Sequence, residues 1–237
     1  ATAVLTGGRV TFEDAHAYAS FAREVLGTND VDFRARAVSN EETAFLANHV
    51  ANKGLEVTYG DLEAAKSVLL VSFEPEDESP IVFLRLRKAA LSGTTKVYSV
   101  APYTSAGLAK MKGTLLTAGP REEVSVIASA ATHLSGDSVI LVGERAAQTP
   151  GALTAVAELV SKTGAKLAWI PRRAGDRGAL DAGLLPIEGR NTSEIVTATG
   201  SAIKGLVVGG VSPEDVDGDL MSAIEKAQFV VSLETRH

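Results

Sequence analysis

SVLLVSFEPEDESP, the stretch Ser67–Pro80, joins a continuous apolar run to a polar loop that ends on a proline. An amphipathic segment starts at Ile81, and a second apolar run, Lys96–Val100, follows it. Short apolar runs joined by a crossover helix are typical of parallel strands that are buried on both faces. The stretch therefore predicts a strand–loop–helix–strand repeat of an α/β fold.

The same pattern recurs twice farther along the chain. The second repeat consists of a strand at Ser138–Gly143, a loop at Glu144–Pro150, a helix from Gly151 and a strand at Lys166–Ile170. The third consists of a strand at Gly205–Val208, a loop at Gly209–Asp215, a helix from about Asp217 and a strand at Phe229–Leu233. A further strand, Gly113–Leu116, and a helix, Pro120–Leu134, lie between the first two repeats. We therefore predict doubly wound, mostly parallel sheets with flanking helices, in which a ligand sits at the carboxyl ends of the strands.

The N-terminal part of the chain predicts one more strand and two helices. A strand at Ala3–Thr6 precedes a helix that Thr11 caps and Gly27 ends, and a second helix runs from Ser39 to Gly54. We predict a polar connector at 28–36 and an irregular Gly/Arg-rich passage at 172–189. We expect a main α/β (Rossmann-like) domain of residues 1–64 and 132–237, with a smaller α/β unit of residues 65–131 inserted in it. Because strands lie close to both ends, we expect a fragment of a longer polypeptide.

Composition argues against several classes of function. The net charge is −6 and aromatic residues make up 5% of the chain, which disfavours nucleic acid binding and base stacking. The absence of cysteine excludes thiolate zinc sites, cysteine-ligated iron–sulfur clusters and disulfides within these residues. The four histidines are far apart, and no apolar run approaches the roughly 18 residues of a membrane span. We therefore predict neither a metal site nor direct membrane insertion.

The loops after the predicted strands carry carboxylates rather than phosphate-binding glycines. Neither G-x-G-x-x-G nor G-x-x-x-x-G-K-[ST] occurs, and the pairs Gly7-Gly8 and Gly209-Gly210 are typical of ordinary turns. A carboxylate about 4 Å from a phosphate costs roughly 4 kcal/mol per charge pair, whereas a helix dipole contributes about 1 kcal/mol. The crowded carboxylates therefore argue against bound phosphate; they either stabilise first helical turns or form a cation site. They are Glu74, Glu76, Asp77 and Glu78 in the first repeat and Glu214, Asp215, Asp217 and Asp219 in the third.

Arg172, Arg173 and Arg177 form the one concentrated basic feature in a predicted loop. Their guanidinium groups suit a phosphate, a carboxylate or an acidic partner, and they can equally form ion pairs within a surface loop. No Ser/His/Asp spacing, nucleophile elbow or HExxH motif is present. We therefore predict no catalytic residues in this chain.

Several motifs, in the same order, resemble the molybdopterin oxidoreductase superfamily. The first are Leu5–Arg9 (LTGGR), Glu13–Ala15 (EDA) and Gly27–Asp30 (GTND). The superfamily's strand, Asn-Pro loop and following helix have similar stretches in this chain at Val68–Val71, Glu74-Pro75, Ser79-Pro80 and Leu84–Ala89 (LRLRKA). Later segments of the superfamily have similar stretches at Val97–Pro102, Leu206–Gly209, Ser212-Pro213 and Phe229–Val231. The resemblance covers nearly the whole chain and implies a formate dehydrogenase/DMSO reductase-like architecture.

Within this superfamily the chain is most similar to the G-subunit family of bacterial NADH:quinone oxidoreductase (respiratory complex I), particularly its actinobacterial members. Val71–Glu76 (VSFEPE) and Pro171–Leu180 (PRRAGDRGAL) carry this resemblance. It implies iron–sulfur clusters in an N-terminal region outside this chain and a structural molybdopterin-type domain within it. It also implies partners among the other subunits of the peripheral arm, on the cytoplasmic side of the bacterial inner membrane. We expect that the isolated fragment can self-associate.

The chain departs from the superfamily's cofactor-binding pattern. Ala101-Pro102-Tyr103 stands where relatives have Asp-Pro-Arg, and Glu74-Pro75 and Ser212-Pro213 replace Asn-Pro. A carboxylate is unfavourable where a pterin dinucleotide would approach, so we expect molybdopterin to be absent. The candidate contacts of a vestigial pocket are Gly7, Gly8, Arg9, Glu74, Ala101, Arg172, Arg173, Arg177 and Gly209. Two alternatives are a cofactor-binding fragment of an active molybdopterin oxidoreductase, such as formate dehydrogenase, and a free nucleotide- or acyl-binding domain, whose glycine signatures are missing.

Overall fold

The strands of this protein pair in parallel. The computed structural model describes residues 1–36, 39–216 and 218–234. The strands are β1 (Thr2–Thr6), β2 (Val31–Asp32), β3 (Ser67–Val71), β4 (Lys96–Ala101), β5 (Thr114–Thr117), β6 (Ser138–Gly143), β7 (Lys166–Ile170), β8 (Gly205–Gly209) and β9 (Phe229–Leu233). Among the described residues they form two sheets, with the strand orders β2-β1-β8-β9 and β5-β4-β3-β6-β7. Every pair in both sheets is parallel, which confirms the predicted fold class.

Helices connect these strands. They are α1 (Phe12–Ser20), α2 (Asn40–His49), α3 (Tyr59–Ala64), α4 (Pro75–Glu78), α5 (Pro80–Leu91), α6 (Ala106–Lys110), α7 (Glu123–Ser129), α8 (Ala152–Thr163), α9 (Asp176–Asp181), α10 (Thr192–Ala198) and α11 (Leu220–Lys226). A π-helical segment, Phe21–Val25, continues α1, and 3-10 turns occupy Ala130–His133, Glu144–Gln148 and Pro213–Asp215. The start predicted for the helix of the third repeat, Asp217, lies outside the described residues, and α11 is capped by Asp219.

Two of these helices, α1 and α2, start at the side-chain caps that the sequence predicts. The Thr11 hydroxyl accepts a hydrogen bond from the Asp14 amide at 3.1 Å, and the Ser39 hydroxyl accepts one from the Glu42 amide at 3.1 Å. Pro80 takes the first position of α5, where its missing N–H costs nothing, although the Ser79 side chain makes no capping hydrogen bond. Side-chain capping thus sets the start of α1 and α2.

Several predicted segments differ from the structure. The helix predicted at Pro120–Leu134 is the shorter α7 followed by the 3-10 turn Ala130–His133, and the predicted loop Glu74–Pro80 contains α4. The connector 28–36 contains β2, whose Val31 pairs with Val4 of β1; two residues are too few to show a strand periodicity. The helix expected to reach Gly54 ends at His49. The passage 172–189, predicted as irregular, contains α9. The six residues of this helix, DRGALD, include one large apolar side chain, Leu180, and so show no amphipathic pattern.

The chain separates into two compact units, each with its own sheet and core. The split unit comprises Ala1–Asn52 and Arg173–His237 and contains the sheet β2-β1-β8-β9. The central unit, Lys53–Arg172, contains the other sheet. The predicted boundaries placed residues 132–237 in the main domain. The division differs because β6 and β7 continue the sheet of β3, with Val139 opposite Val68.

Buried aliphatic side chains form the core of each unit. In the split unit, Leu5, Leu206 and Val208 pack with Leu220 of α11. In the central unit, the core cluster includes Val68, Leu70, Val82, Leu86, Val139 and Leu141. None of the helices within the described part of the chain combines the length and apolar character required to cross a membrane.

Candidate functional site

Each sheet has one position where a ligand would be expected. In an open α/β sheet this position is the crevice at the carboxyl ends of two neighbouring strands from which the chain proceeds in opposite directions. In the split unit it lies between β1 and β8, and in the central unit between β3 and β6. The candidate contacts lie at these positions. After β1 come Gly7, Gly8 and Arg9, β8 ends at Gly209, and Glu74 follows β3.

Gly7 lets two turns of the split unit approach each other. Its amide donates a hydrogen bond to the Gly209 carbonyl at 3.1 Å. A Cβ atom at Gly7 would lie 1.9 Å from the carbonyl oxygen of Gly210, closer than any real contact. The absence of a side chain at Gly7 therefore serves the packing of β1 against β8 and leaves no space for a ligand at that point.

Gly8 contacts the start of α9 in the same way. Its carbonyl accepts a hydrogen bond from the Gly175 amide at 2.9 Å. A Cβ atom at Gly8 would lie 1.7 Å from Oδ1 of the buried Asp176, whose Oδ2 accepts a hydrogen bond from the Arg173 amide at 3.2 Å. An internal carboxylate thus occupies the space beside this glycine.

Gly209 faces the side chain of Tyr18. A Cβ atom at Gly209 would lie 2.1 Å from the Tyr18 hydroxyl oxygen. Burial raises the pKa of Tyr18, and the nearby carboxylates of Asp14 and Glu234 raise it further, because each disfavours a phenolate. The phenol therefore stays protonated over the neutral pH range.

The crevice that remains between β1 and β8 is small. Its volume is about 10 Å³, and its lining comprises Gly7, Gly8, Arg9, Ala35, Arg173, Gly210, Val211, Ser212 and Asp215. A volume of that size holds about one water molecule, whereas ligand pockets typically measure several hundred Å³. This crevice by itself is too small for a pterin dinucleotide.

The three predicted arginines are divided between the two units. Arg172 belongs to the central unit, where its guanidinium pairs with Glu78 at 3.1 Å. Arg173 lines the crevice of the split unit. Arg177, in the split unit, pairs with Asp181 at 3.0 Å and donates a hydrogen bond to the Val50 carbonyl at 3.0 Å. For Arg172 and Arg177 the ion-paired interpretation therefore holds.

In the central unit the Glu78 carboxylate forms hydrogen bonds with the loops that follow three neighbouring strands. Glu78 follows β3, and its carboxylate accepts hydrogen bonds from the Glu74 amide at 2.8 Å, from Arg145 after β6 at 2.5 Å and from Arg172 after β7 at 3.1 Å. Glu144, 5% exposed, accepts a hydrogen bond from the Arg172 amide at 3.1 Å. A phosphate that reached these two guanidinium groups would compete with the Glu78 carboxylate for them.

Most of the remaining acids of the first loop are also engaged. The Glu74 carboxylate accepts a hydrogen bond from the Glu76 amide at 3.3 Å and so caps α4, and Glu76 pairs with Lys110. Gly143, at the end of β6, packs against the Ser72 carbonyl, from which an added Cβ would lie 2.5 Å. The capping interpretation of the acids is therefore confirmed for Glu74.

Ala101 ends β4 without contributing a charged group. Its carbonyl accepts a hydrogen bond from the Ala118 amide at 3.1 Å, and the nearby Tyr103 is 70% exposed. No group of three or more histidine, aspartate or glutamate side chains within the described ranges is positioned to hold a metal ion.

Sequence reasoning missed a buried ionic network at the end of β2. Arg34, 2% exposed, pairs with Asp32 at 2.8 Å and with Glu42 at 3.2 Å, and Asp32 also accepts a hydrogen bond from the Thr192 amide. Burial lowers the pKa of Arg34, but Asp32 and Glu42 raise it by more, so that the guanidinium stays charged. The spacing Asp32-x-Arg34 with Glu42 on the next helix was the available signal. The network connects β2 to α2 and α10, and its role is to hold these elements together.

The whole chain, residues 1–237, matches the family model described as molybdopterin oxidoreductase. The chain is similar to the G subunits of NADH-quinone oxidoreductase from Mycobacterium bovis and Mycobacterium tuberculosis, each 48% identical over 274 aligned positions that cover 100% of this chain and 34% of the relative. The corresponding G subunit of Streptomyces coelicolor is 42% identical over 296 positions, covering 99% of this chain and 35% of the relative. The chain spans about a third of the length of the curated relatives it matches. These similarities confirm the predicted resemblance.

Proposed function

We propose that the chain, which belongs to the molybdopterin oxidoreductase family, is a structural, non-catalytic domain of the G subunit of a respiratory NADH:quinone oxidoreductase. In this proposal the domain retains the sheets of the family without its cofactor. Electrons pass through iron–sulfur clusters in a region of the polypeptide outside this chain. The whole complex couples electron transfer from NADH to quinone with proton translocation, and no residue of this chain takes part in the chemistry.

The observation that carries the proposal is that both sheets use their ligand positions for internal contacts. In the split unit, Gly7, Gly8 and Gly209 face the chain's own backbone or side chains, and the crevice holds about one water molecule. In the central unit, Glu78 occupies Arg145 and Arg172. A domain that bound a dinucleotide would have to leave such donors and such space available.

The position of the domain in the cell follows from the same proposal. As part of the G subunit it would lie in the peripheral arm of the complex, on the cytoplasmic side of the bacterial inner membrane, in contact with other subunits. Its net charge of −6 suits a surface that meets proteins rather than nucleic acid or anionic lipid.

Metal and cofactor analysis of the full-length subunit tests the proposal. We expect iron in cluster stoichiometry, together with sub-stoichiometric molybdenum, tungsten and extractable pterin. An active molybdopterin oxidoreductase purified from the same cells serves as the control that the cells make the cofactor. One equivalent of molybdenum or pterin per polypeptide would overturn the proposal and would favour the alternative of an active molybdopterin enzyme.

A further inference from the structure

One face of the sheet in the split unit has no cover at its β9 edge. β9 has the sequence FVVSL, and Phe229, Val231 and Leu233, which alternate along it and so point to one face, are 51%, 43% and 56% exposed. Parallel strands in doubly wound sheets are normally covered on both faces. β9 therefore carries a core-like apolar face that the described residues leave in water.

The opposite face of the same strands is covered. Leu206 and Val208 of β8 pack with Leu220 of α11, and Val230 of β9 joins that cluster. On the open face, the register places Val207 beside Val231 and Gly209 beside Leu233. On β8 this face is already covered, since Val207 is 5% exposed and Gly209 lies against Tyr18, so the exposed part of the face is that of β9.

A groove of about 670 Å³ runs along this open face, beside α1. Its lining is mainly apolar and comprises Arg9, Val10, Asp14, Ala17, Tyr18, Phe21, Val207, Gly210, Val231 and Leu233. Phe21, on the α1 side of the groove, is itself 40% exposed. The groove separates α1 from β9, in the position that a neighbouring helix occupies in a closed α/β layer.

The polar groups of the groove lie at one end. Arg9 and Asp14 are near the carboxyl ends of the strands, because α1 starts there and returns antiparallel to β1. The carboxylates of Asp14 and Glu234 both act on the Tyr18 hydroxyl, which places them at that same end. A helix that lay in the groove antiparallel to β9 would bring its positive N-terminus to these two carboxylates, while its apolar side covered Val231 and Leu233.

The free edge of β9 points to the same conclusion. Edge strands that face water are normally protected by charged residues, proline or a bulge, and β9 contains none of these. An apolar face and an unprotected edge together indicate a surface that is covered permanently, as in a domain core, rather than transiently.

We propose that the groove between α1 and β9 is filled by an amphipathic helix of the same polypeptide, contributed by a segment outside these 237 residues. The greater part of the related polypeptides lies outside the matched span, so ample chain exists to supply the helix. The inference rests on the proposal that the chain is part of a longer subunit. It does not depend on whether that longer polypeptide binds a pterin, which the metal analysis decides separately.

Site-specific cysteine labelling tests the inference, since the chain has no cysteine of its own. Leu233→Cys reports on the groove, and Leu84→Cys on α5 is the matched control because the two leucines are 56% and 54% exposed. Maleimide labelling of each site is measured by peptide mass spectrometry in the 237-residue chain and in the purified full-length subunit, free of other subunits. We expect Leu233→Cys to react at least tenfold more slowly in the full-length subunit, and Leu84→Cys to change much less.

Three results would overturn the inference. Equal labelling of Leu233→Cys in both proteins would show that the groove stays open. Protection in the 237-residue chain that grows with its concentration would identify a second copy as the occupant. Protection of the full-length subunit only after other subunits are added would place the occupant on a partner. A Val231→Lys variant gives an independent readout: its melting temperature should fall in the full-length subunit and stay nearly unchanged in the 237-residue chain.

Discussion

At the scale of single residues, the glycines at the ends of β1 and β8 are explained by the chain's own packing. A glycine in such a loop can serve a ligand that approaches the backbone, or it can serve a neighbouring segment that does so. Gly7 and Gly209 are of the second kind, because the Gly210 carbonyl and the Tyr18 hydroxyl fill the space that a Cβ would take. Their presence is therefore no evidence for a nucleotide.

The role of Gly7 can be measured in the protein without any ligand. Gly7→Ala is expected to lower the free energy of unfolding by about 1–3 kcal/mol, because a backbone oxygen cannot move aside as a side chain can. Urea denaturation of the 237-residue chain measures the change.

Gly60→Ala is the matched control. Gly60 lies in the first turn of α3, and its nearest neighbour would be 3.5 Å from an added Cβ. This substitution is expected to stabilise the protein by about 0.4–1 kcal/mol, since alanine loses less backbone entropy on folding. If Gly7→Ala were as well tolerated as Gly60→Ala, the close contact between the two turns would be refuted.

At the scale of an element, α3 depends on a cap that titrates in acid. Thr58 and Asp61 form a capping box, and Lys166 donates a hydrogen bond to the Asp61 carboxylate at 2.6 Å. The hydrogen bond from Lys166, followed by those from Thr58, holds the pKa of Asp61 well below its ordinary value of 3.8. The ionised carboxylate is thus favoured in the folded state.

The sign of the pH dependence follows from this depressed pKa. The stabilisation from Asp61 is fully present above pH values near 3.8 and is lost as the pH falls toward the lower pKa of the folded state. In Asp61→Asn the free energy of unfolding should therefore fall less steeply as the pH drops below about 4. Lys166→Met, which removes the main cause of the lowered pKa, should make the slope shallower in the same way. Chemical denaturation at a series of acidic pH values measures both slopes, and an unchanged slope in both variants would contradict this account.

At the scale of the whole molecule, the arrangement of ligand positions predicts weak binding of phosphorylated ligands. A ligand at a hundredfold excess over its Kd stabilises a protein by about 2.7 kcal/mol, which raises the melting temperature by several degrees in a chain of this size. Millimolar pyrophosphate or GDP is expected to raise the melting temperature of the 237-residue chain by less than about 1 °C, because the donors are occupied internally.

Glu78→Ala provides the contrast. It releases the guanidinium groups of Arg145 and Arg172, which the carboxylate contacts at 2.5 and 3.1 Å, and should therefore introduce a pyrophosphate-dependent rise in melting temperature. A clear, saturable stabilisation of the unsubstituted chain would argue against internally closed sites.

Much of the fold could be predicted because its signals are local. The buried runs at Ser67–Val71 and Ser138–Gly143 are continuous and apolar, and the caps at Thr11 and Ser39 are read from neighbouring residues. β2 was missed because two residues carry no periodicity, and its place in the sheet comes from pairing with β1. The ionic network of Arg34 was missed because the spacing of Asp32, Arg34 and Glu42 does not show that these side chains are buried, and their further partner Thr192 comes from a distant segment.

A parallel α/β protein with acidic loops and no cysteine chemistry can be predicted from the amino-acid sequence, because strand burial, helix caps and composition depend on residues close together in the chain. How the ligand positions are used depends on contacts between distant segments. Gly7 meets Gly210 and Glu78 meets Arg172 across long stretches of sequence, since parallel pairing brings the carboxyl ends of distant strands to one edge. The same pairing assigned β6 and β7 to the central unit and left the apolar face of β9 exposed.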